Sequence, residues 1–120
     1  MAQAQPLQTP AGVPLRVPVH PGHFLDKHYL QPLGISQTRA AQLLGVSRRR
    51  VNELVMGHRA MSPDTAVRCA LAFGASAAFW LHLQANWDAF HAWRALRAAM
   101  AAQARPAQSA VTCSERLAAH

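Results

Sequence analysis

Four polar side chains that offer three kinds of hydrogen-bonding chemistry lie in one short stretch of this sequence. They are Arg48, Arg49, Asn52 and Glu53. An arginine guanidinium can donate to O6 and N7 of guanine, an asparagine amide pairs with N6 and N7 of adenine, and a glutamate carboxylate accepts from N4 of cytosine. The chemistry available to this stretch is the recognition of base edges in a DNA groove.

A helix would present these side chains together on one face. At about 100° per residue, Val51 and Leu54 define the inward direction of such a helix. The outward face then carries Arg49, Asn52 and Glu53, with Arg48 and Arg50 on its flanks. We predict base contacts from the four residues Arg48, Arg49, Asn52 and Glu53. The alternative is a basic face that is merely solvated.

The surrounding residues have the spacing of a helix-turn-helix. Counted from Gln37, a small residue is fifth (Ala41), a glycine is ninth (Gly45) and a branched apolar residue is fifteenth (Val51). The small side chain permits a second helix to cross closely, and the glycine can adopt the positive φ of a sharp corner. Ser47 supplies a helix cap directly before the arginines. An ordinary helical hairpin is the alternative, and the joint spacing favours the helix-turn-helix.

A second set of polar residues flanks these two helices and is suited to the sugar-phosphate backbone. Side chains and unpaired amides at the start of a helix can hold an anion. Such contacts supply position and salt-dependent affinity but no sequence information. We predict backbone contacts from Gln37, Thr38, Arg39, Ser47, Arg50, His58 and Arg59. Arg39 and Arg59 could equally be surface charges that keep the protein dissolved.

Five amphipathic segments provide the elements that position these residues. Proline, serine and glycine signals start and stop them. We predict helices from Pro21 to about Leu30, from about Ser36 to Leu44, from Arg48 to about Met56, from about Pro63 to Phe73, and from Ser76 as far as Met100. The fourth helix is expected to bury Ala66, Val67, Ala70 and Leu71. The fold class is all-α, with a single domain over residues 18–100.

The two ends of the chain differ from this domain in composition. Residues 1–17 are rich in Gln and Pro, which forbids a continuous helix and predicts a flexible or extended arm. Residues 101–120 turn to Ala, Gln, Pro and Ser, and we expect a disordered or frayed tail there.

The fifth helix carries an unusually aromatic stripe. Its members, spaced three and four residues apart, are Phe79, Trp80, Leu83, Trp87 and Phe90. Part of this stripe could bury against a second subunit, or all of it could belong to the core of one chain. The sequence leaves both interpretations open.

Charge and cysteine usage narrow the class of protein. The 120 residues include 12 Lys and Arg against 5 Asp and Glu, a formal net charge of +7, which indicates a polyanionic partner. A GC-rich genome would explain part of this bias but not the clustering at residues 48–50. Cys69 and Cys113 lack a close spacing partner, and no secretory signal is evident, so we expect a reduced, cytoplasmic setting. The uncharged residues 69–87 are interrupted by polar residues, which argues against a membrane span.

Catalytic motifs are missing from the sequence. His20, His23 and His28 do not fall four apart on one helix, and Asp26 is the only nearby acid. There is no His-Glu-x-x-His motif, paired cysteine motif, glycine-rich phosphate loop or nucleophile elbow. We expect no enzymatic activity, no metal and no cofactor.

Several separated motifs together resemble the HigA family of antitoxins within the Xre-type regulators. They are His20-Pro21-Gly22-His23-Phe24-Leu25, Pro32-Leu33-Gly34-Ile35-Ser36-Gln37, Val51-Asn52-Glu53-Leu54-Val55-Met56-Gly57-His58-Arg59 and Phe79-Trp80-Leu81-His82-Leu83-Gln84. The resemblance covers about residues 18–93 and departs at His23, where the family often has Glu, and at the aromatic residues 86–90.

This resemblance implies a lambda-repressor-like fold and a homodimer that binds a palindromic operator near its own promoter. It also implies neutralisation of a RelE-like toxin that cuts mRNA on the ribosome. A stand-alone repressor of the same fold, without a toxin partner, is the main alternative. A protein-interaction module whose helix-turn-helix no longer binds DNA is the third.

Overall fold

The computed structural model describes residues 8–118, with side chains described for residues 8–104. Within this range there are five helices and no strand. Helix α1 comprises an α-helical segment Pro21–Leu25, a π-helical turn Asp26–Leu30 and an α-helical turn Gln31–Leu33. The others are α2 (Gln37–Leu44), α3 (Arg48–Val55), α4 (Pro63–Phe73) and α5 (Ala77–Ala118). The predicted all-α, five-helix class is confirmed.

Serine hydroxyls begin four of these helices, as the sequence predicts. Each Oγ accepts a hydrogen bond from the backbone N–H three residues later, at 3.0 Å for Ser36, 3.0 Å for Ser47, 3.2 Å for Ser62 and 3.0 Å for Ser76. A cap of this kind contributes about 1 kcal/mol by satisfying an N–H that the helix itself cannot pair. These caps therefore fix where α2, α3, α4 and α5 start.

Helix α1 is longer than predicted, because Pro32 does not end it. The helix continues to Leu33 and stops at Gly34, whose φ is +65°. The N–H of Gln31 bonds to the carbonyl of Asp26, five residues back, so Pro32 stands in the first turn of a new α-helical segment. A proline at that position has no useful N–H to lose.

The core lies where α1, α3, α4 and α5 meet. Trp80 and Leu25 are completely buried, and Leu30, Leu54 and Met61 are nearly so. Gln84 of α5 also reaches this region, where its Oε1 accepts the N–H of Met61 at 2.7 Å. That bond ties the loop after α3 to the long last helix.

Helix α4 faces the core with a different stripe from the one predicted. Thr65, Ala66 and Cys69 are its buried residues, whereas Val67 is 50% and Leu71 84% exposed. Because successive residues turn by about 100°, the packing of residues 65, 66 and 69 directs residues 67 and 71 away from the core. The predicted burial of Val67 and Leu71 is therefore wrong.

The two ends of the domain also differ from expectation. Helix α5 continues to Ala118, beyond the predicted end at Met100. The disordered or frayed tail predicted for residues 101–120 stays a prediction. Residues 94–104 are all exposed, and their helix rests on the high intrinsic helix propensity of Ala, Arg, Leu, Met and Gln rather than on packing. Residues 8–19 form neither helix nor strand. The remainder of the predicted arm, residues 1–7, and residues 119–120 lie outside the described residues.

None of the described helices is both long enough and apolar enough to cross a membrane.

Candidate nucleic-acid interface

Helices α2 and α3 form a helix-turn-helix around Gly45. This residue adopts φ +70°, and the N–H of Val46 bonds to the carbonyl of Ala41 at 3.0 Å across the corner. Ala41 is 7% exposed, as a close helix crossing requires, and Val51 is completely buried. The predicted turn and the predicted inward direction of α3 are confirmed.

The outward face of α3 is open to solvent. Arg48, Arg49 and Asn52 are exposed, and the Arg49 side chain keeps 86% of its accessible surface. Since these three groups stand on a short helix anchored by Val51 and Leu54, they present a guanidinium pair and an amide from a rigid support. The face has the composition and the exposure that major-groove contact requires.

Glu53 shares this face but is engaged by two arginines. Its Oε2 accepts from Nε of Arg49 at 3.2 Å. Its Oε1 accepts from Nε and Nη2 of Arg59 at 3.0 and 2.8 Å. Hydrogen bonds from Arg59 and then from Arg49 hold the pKa of Glu53 below its ordinary value, so the carboxylate is ionised. The structure thus joins two predicted base contacts and one predicted phosphate contact in a single cluster.

Asn52 is linked to the first helix of the motif. Its Nδ2 donates to Oε1 of Gln37 at 3.1 Å. Gln37 stands at the start of α2, where backbone contact was predicted. The bond orients the Asn52 amide and connects the position of α2 to the chemistry of α3.

Arg50 is turned away from the outward face. Its Nη2 donates to Oδ2 of Asp64 at 3.1 Å and to Oγ1 of Thr65 at 2.5 Å. Only 28% of its side-chain surface stays exposed. In this conformation the Arg50 guanidinium attaches α3 to the start of α4. The phosphate contact predicted for Arg50 stays a prediction.

Arg68 completes this attachment, a role that its sequence context did not predict. Its Nη1 donates to the carbonyls of Leu44 and Gly45 at 3.1 and 3.3 Å, and its Nε donates to Asp64 at 2.8 Å. Hydrogen bonding from Arg68, then from Arg50, keeps the pKa of Asp64 below its ordinary value. The spacing of four between Asp64 and Arg68 was a signal of their ion pair, but the contact with α2 depends on tertiary structure.

The remaining candidates for phosphate contact lie on the surface. They are Thr38, Arg39, Ser47, His58 and Arg59. Arg39 donates to Gln42 at 3.1 Å along α2, and the Ser47 oxygen caps α3, which leaves its hydroxyl hydrogen free to donate outward. These five residues remain predicted backbone contacts.

The aromatic stripe of α5 divides into core and half-exposed positions. Trp80 is completely buried, with its ring 5.8 Å from that of Phe24 and 5.6 Å from that of Tyr29. It therefore belongs to the core of one chain and is unavailable to a second subunit. The half-buried members, which keep surface for a partner, are Phe79, Leu83, Trp87 and Phe90.

The segment His20-Pro21-Gly22 supports α3 from behind. Gly22 packs so closely on the last turn of α3 that a Cβ atom built on it would lie 1.6 Å from the carbonyl oxygen of Leu54. Nδ1 of His20 accepts the N–H of Gly22 at 3.0 Å, and the His20 ring lies edge-on to Trp87 with the ring centroids 5.1 Å apart. One buried histidine thus links the start of α1 to α5.

The stability of this joint is expected to fall in mild acid. Burial lowers the pKa of His20, the neighbouring His23 lowers it further, and Asp88 opposes them. The unfolded chain therefore binds a proton at a higher pH than the folded chain, so the stabilisation is present above about pH 6.5 and declines below it. Chemical denaturation between about pH 5 and 7 measures this slope.

The matched variant for this measurement is His20→Asn, which can still cap Gly22 but does not titrate. It should show a shallower dependence of unfolding free energy on pH than the parent protein. An unchanged slope would assign the pH dependence to the other histidines.

Among the described side chains, no three His, Cys, Asp or Glu residues group closely enough to hold a metal ion.

Comparison with known proteins identifies the family of this fold. A helix-turn-helix family model matches residues 27–80. Virulence-associated protein I of Dichelobacter nodosus is 39% identical over 82 residues, which cover 68% of this chain and 76% of the relative. PA4674 of Pseudomonas aeruginosa, solved in complex with its operator DNA, is 37% identical with a TM-score of 0.63, covering 65% of this chain and 84% of that chain.

A further solved relative carries a family name. Antitoxin HigA of Pseudomonas aeruginosa, solved with the higBA promoter, is 34% identical with a TM-score of 0.57, covering 77% of this chain and 92% of that chain. The chain belongs to the HigA family. The resemblance noted in the sequence is thereby confirmed, and the HigA-family helix-turn-helix corresponds here to α2 and α3. The family is one of DNA-binding helix-turn-helix proteins.

Proposed function

We propose that this HigA-family chain is an autorepressor and antitoxin that acts in the cytoplasm. In this proposal a homodimer binds a palindromic operator through the major groove, and the same protein neutralises a RelE- or HigB-like toxin. The observation that carries the DNA-binding part is the outward face of α3, where Arg48, Arg49 and Asn52 are exposed to solvent above the buried Val51 and Leu54.

Electrostatics supports a duplex as the partner of this face. The net charge of +7 favours association with a polyanion, and further arginines and a histidine border α3 at Arg39, His58 and Arg59. Two relatives solved as complexes with an operator or a promoter support the same partner. Base contacts by Arg49 and Asn52 would supply specificity, and the bordering residues would supply affinity.

The small size of the outward face of α3 supports the proposed homodimer. One helix of eight residues covers few base pairs, and a two-fold dimer doubles the site while matching a palindrome. The two α3 helices would then lie about 34 Å apart, one turn of DNA. The half-buried apolar residues of α5, Phe79, Leu83, Trp87 and Phe90, are the proposed dimer contacts.

The toxin-binding part rests on the family alone. The antitoxin HigA of Pseudomonas aeruginosa supports it by name. A stand-alone repressor is the second candidate, and it is favoured by PA4674, whose solved complex is with its operator. The two candidates share the DNA interface and differ in the second partner.

Two measurements test the proposal. Fluorescence anisotropy with the duplex directly upstream of the gene should give tighter binding than a scrambled duplex of equal composition, with two chains per site. Equal affinity for both duplexes would exclude the repressor function. Co-expression with the product of the adjacent gene should yield a co-purifying complex, and a monodisperse repressor without it would favour the stand-alone candidate.

A further inference from the structure

On the surface around α3, the Glu53 side chain is less exposed than the side chains of its two partners, Arg49 and Arg59. Its side chain keeps 28% of its surface exposed, against 86% for Arg49 and 48% for Arg59. A group approaching the face therefore meets the two guanidinium groups before it meets the carboxylate. Direct contact between Glu53 and a base is disfavoured by this arrangement.

Most of the hydrogen bonds that the Glu53 carboxylate can accept are already made within the protein. An ionised carboxylate offers about four lone-pair positions. Three N–H groups already occupy them, two from Arg59 on Oε1 and one from Arg49 on Oε2. About one position therefore remains for a cytosine amino group, on Oε2, which already accepts from Arg49.

Both the backbone and the side chain of Glu53 bind the loop that follows α3. Its carbonyl oxygen accepts the N–H of His58 at 2.8 Å, across the left-handed Gly57. Its carboxylate then holds Arg59, the next residue of that loop. One residue therefore fixes the segment that carries two predicted phosphate contacts to the helix that carries the predicted base contacts.

We propose that Glu53 is a positioning residue that couples the phosphate contact of Arg59 to the base contact of Arg49 and restrains binding to non-operator DNA. The proposal deepens the DNA-binding function given above and rests on it for the operator. It replaces the role of Glu53 as a reader of cytosine.

The restraint is electrostatic. With Glu53 in place, the two guanidinium groups share a negative charge and approach random phosphates less freely. On the operator, the free Nη groups of Arg49 can still donate to a base while its Nε stays fixed to Glu53. The carboxylate therefore lowers the affinity for every duplex, but it raises the ratio of operator affinity to random affinity.

The test compares Glu53→Gln and Glu53→Ala with the parent chain on two duplexes, the upstream DNA and a scrambled control. Both variants should bind the scrambled duplex about fivefold more tightly, because a surface charge pair is worth about 1 kcal/mol in water. Their salt slope should steepen by about one unit as Arg59 becomes free to contact phosphate. The ratio of operator to random affinity should fall.

Asp26→Asn is the charge-matched control. It removes one negative charge from α1, where the carboxylate accepts from Gln31 rather than from an arginine. If Asp26→Asn raises random binding as much as Glu53→Gln, the effect is one of net charge and the positioning role is overturned. Unchanged random affinity in Glu53→Gln would overturn it as well, whatever the parent chain does on the upstream duplex.

Two further readouts separate positioning from direct base contact. The arginine Nε–H signals of Arg49 and Arg59 in the NMR spectrum of free protein should both shift in Glu53→Gln. On single-base variants of the operator, Arg49→Ala combined with Glu53→Gln should lose no base preference that Arg49→Ala alone retains. A preference lost by Glu53→Gln at one C·G pair that Arg49→Ala leaves intact would show direct reading. If the parent chain bound the upstream and scrambled duplexes equally, the proposed repressor function would be contradicted, rather than the positioning role of Glu53.

Discussion

Gly22→Ala is expected to destabilise the domain by about 3 kcal/mol or more, or to prevent folding. The added Cβ would lie 1.6 Å from the carbonyl oxygen and 2.4 Å from the carbonyl carbon of Leu54. Both are backbone atoms of α3, so no side-chain rotation can relieve the overlap. Either α1 must move away from α3, or the last turn of α3 must unwind.

Circular dichroism during thermal unfolding measures the effect. For a domain of roughly 100 residues, each kcal/mol lowers the melting temperature by about 4–8 °C. Gly34→Ala is the matched control, since Gly34 has φ +65° and open space around its Cβ position. It should cost about 1–2 kcal/mol for the left-handed conformation alone. A loss in Gly22→Ala no larger than in Gly34→Ala would mean that α1 does not pack closely on α3.

Local stereochemistry explains which parts of this fold could be predicted from the sequence. A serine before a helical stretch caps it wherever the helix later packs, and Gly45 was predicted at the corner because its position in the motif suits a left-handed residue. The buried pair Val51 and Leu54 also follows from helical period alone. These are properties of a few consecutive residues, so the start of α3 and its outward direction were predicted correctly.

The side-chain contacts that could not be predicted are those between residues far apart in the sequence. Arg48, Arg49 and Arg50 are identical in chemistry, yet only the last meets Asp64 and Thr65, because α4 packs on that side of α3. Arg68 reaches the end of α2 from 23 residues away in sequence. No local pattern encodes these distances, and the same holds for Glu53, whose two arginine partners come from α3 and from the following loop.

The prediction of which face of α4 is buried was wrong because that choice also depends on tertiary contacts. The period of α4 admits more than one apolar stripe, and which one is buried depends on the neighbours that α4 meets. Trp80 likewise satisfied the pattern of an interface residue, but Phe24 and Tyr29 of α1 enclose it. Aromatic residues serve cores and interfaces equally well, so only packing distinguishes the two.

Arg49→Ala is expected to weaken operator binding by about 1–3 kcal/mol and to blur the preference at one or two base pairs. The reason is the position of Arg49, which is 86% exposed on the outward face and, within the described part of the chain, held only through its Nε. Its remaining N–H groups are free to donate to guanine, and alanine removes them without disturbing the buried side of α3. Binding to every single-base variant of the upstream duplex would map the lost preference.

Arg39→Ala is the contrasting variant, because Arg39 lies on α2 and its guanidinium bonds only to Gln42 among the described residues. As a phosphate contact, it should weaken all duplexes alike and reduce the salt slope by about one unit. Arg49→Ala should instead leave the affinity for scrambled DNA nearly unchanged. If the two variants lost affinity equally on operator and scrambled duplexes, the outward face of α3 would not lie in the major groove.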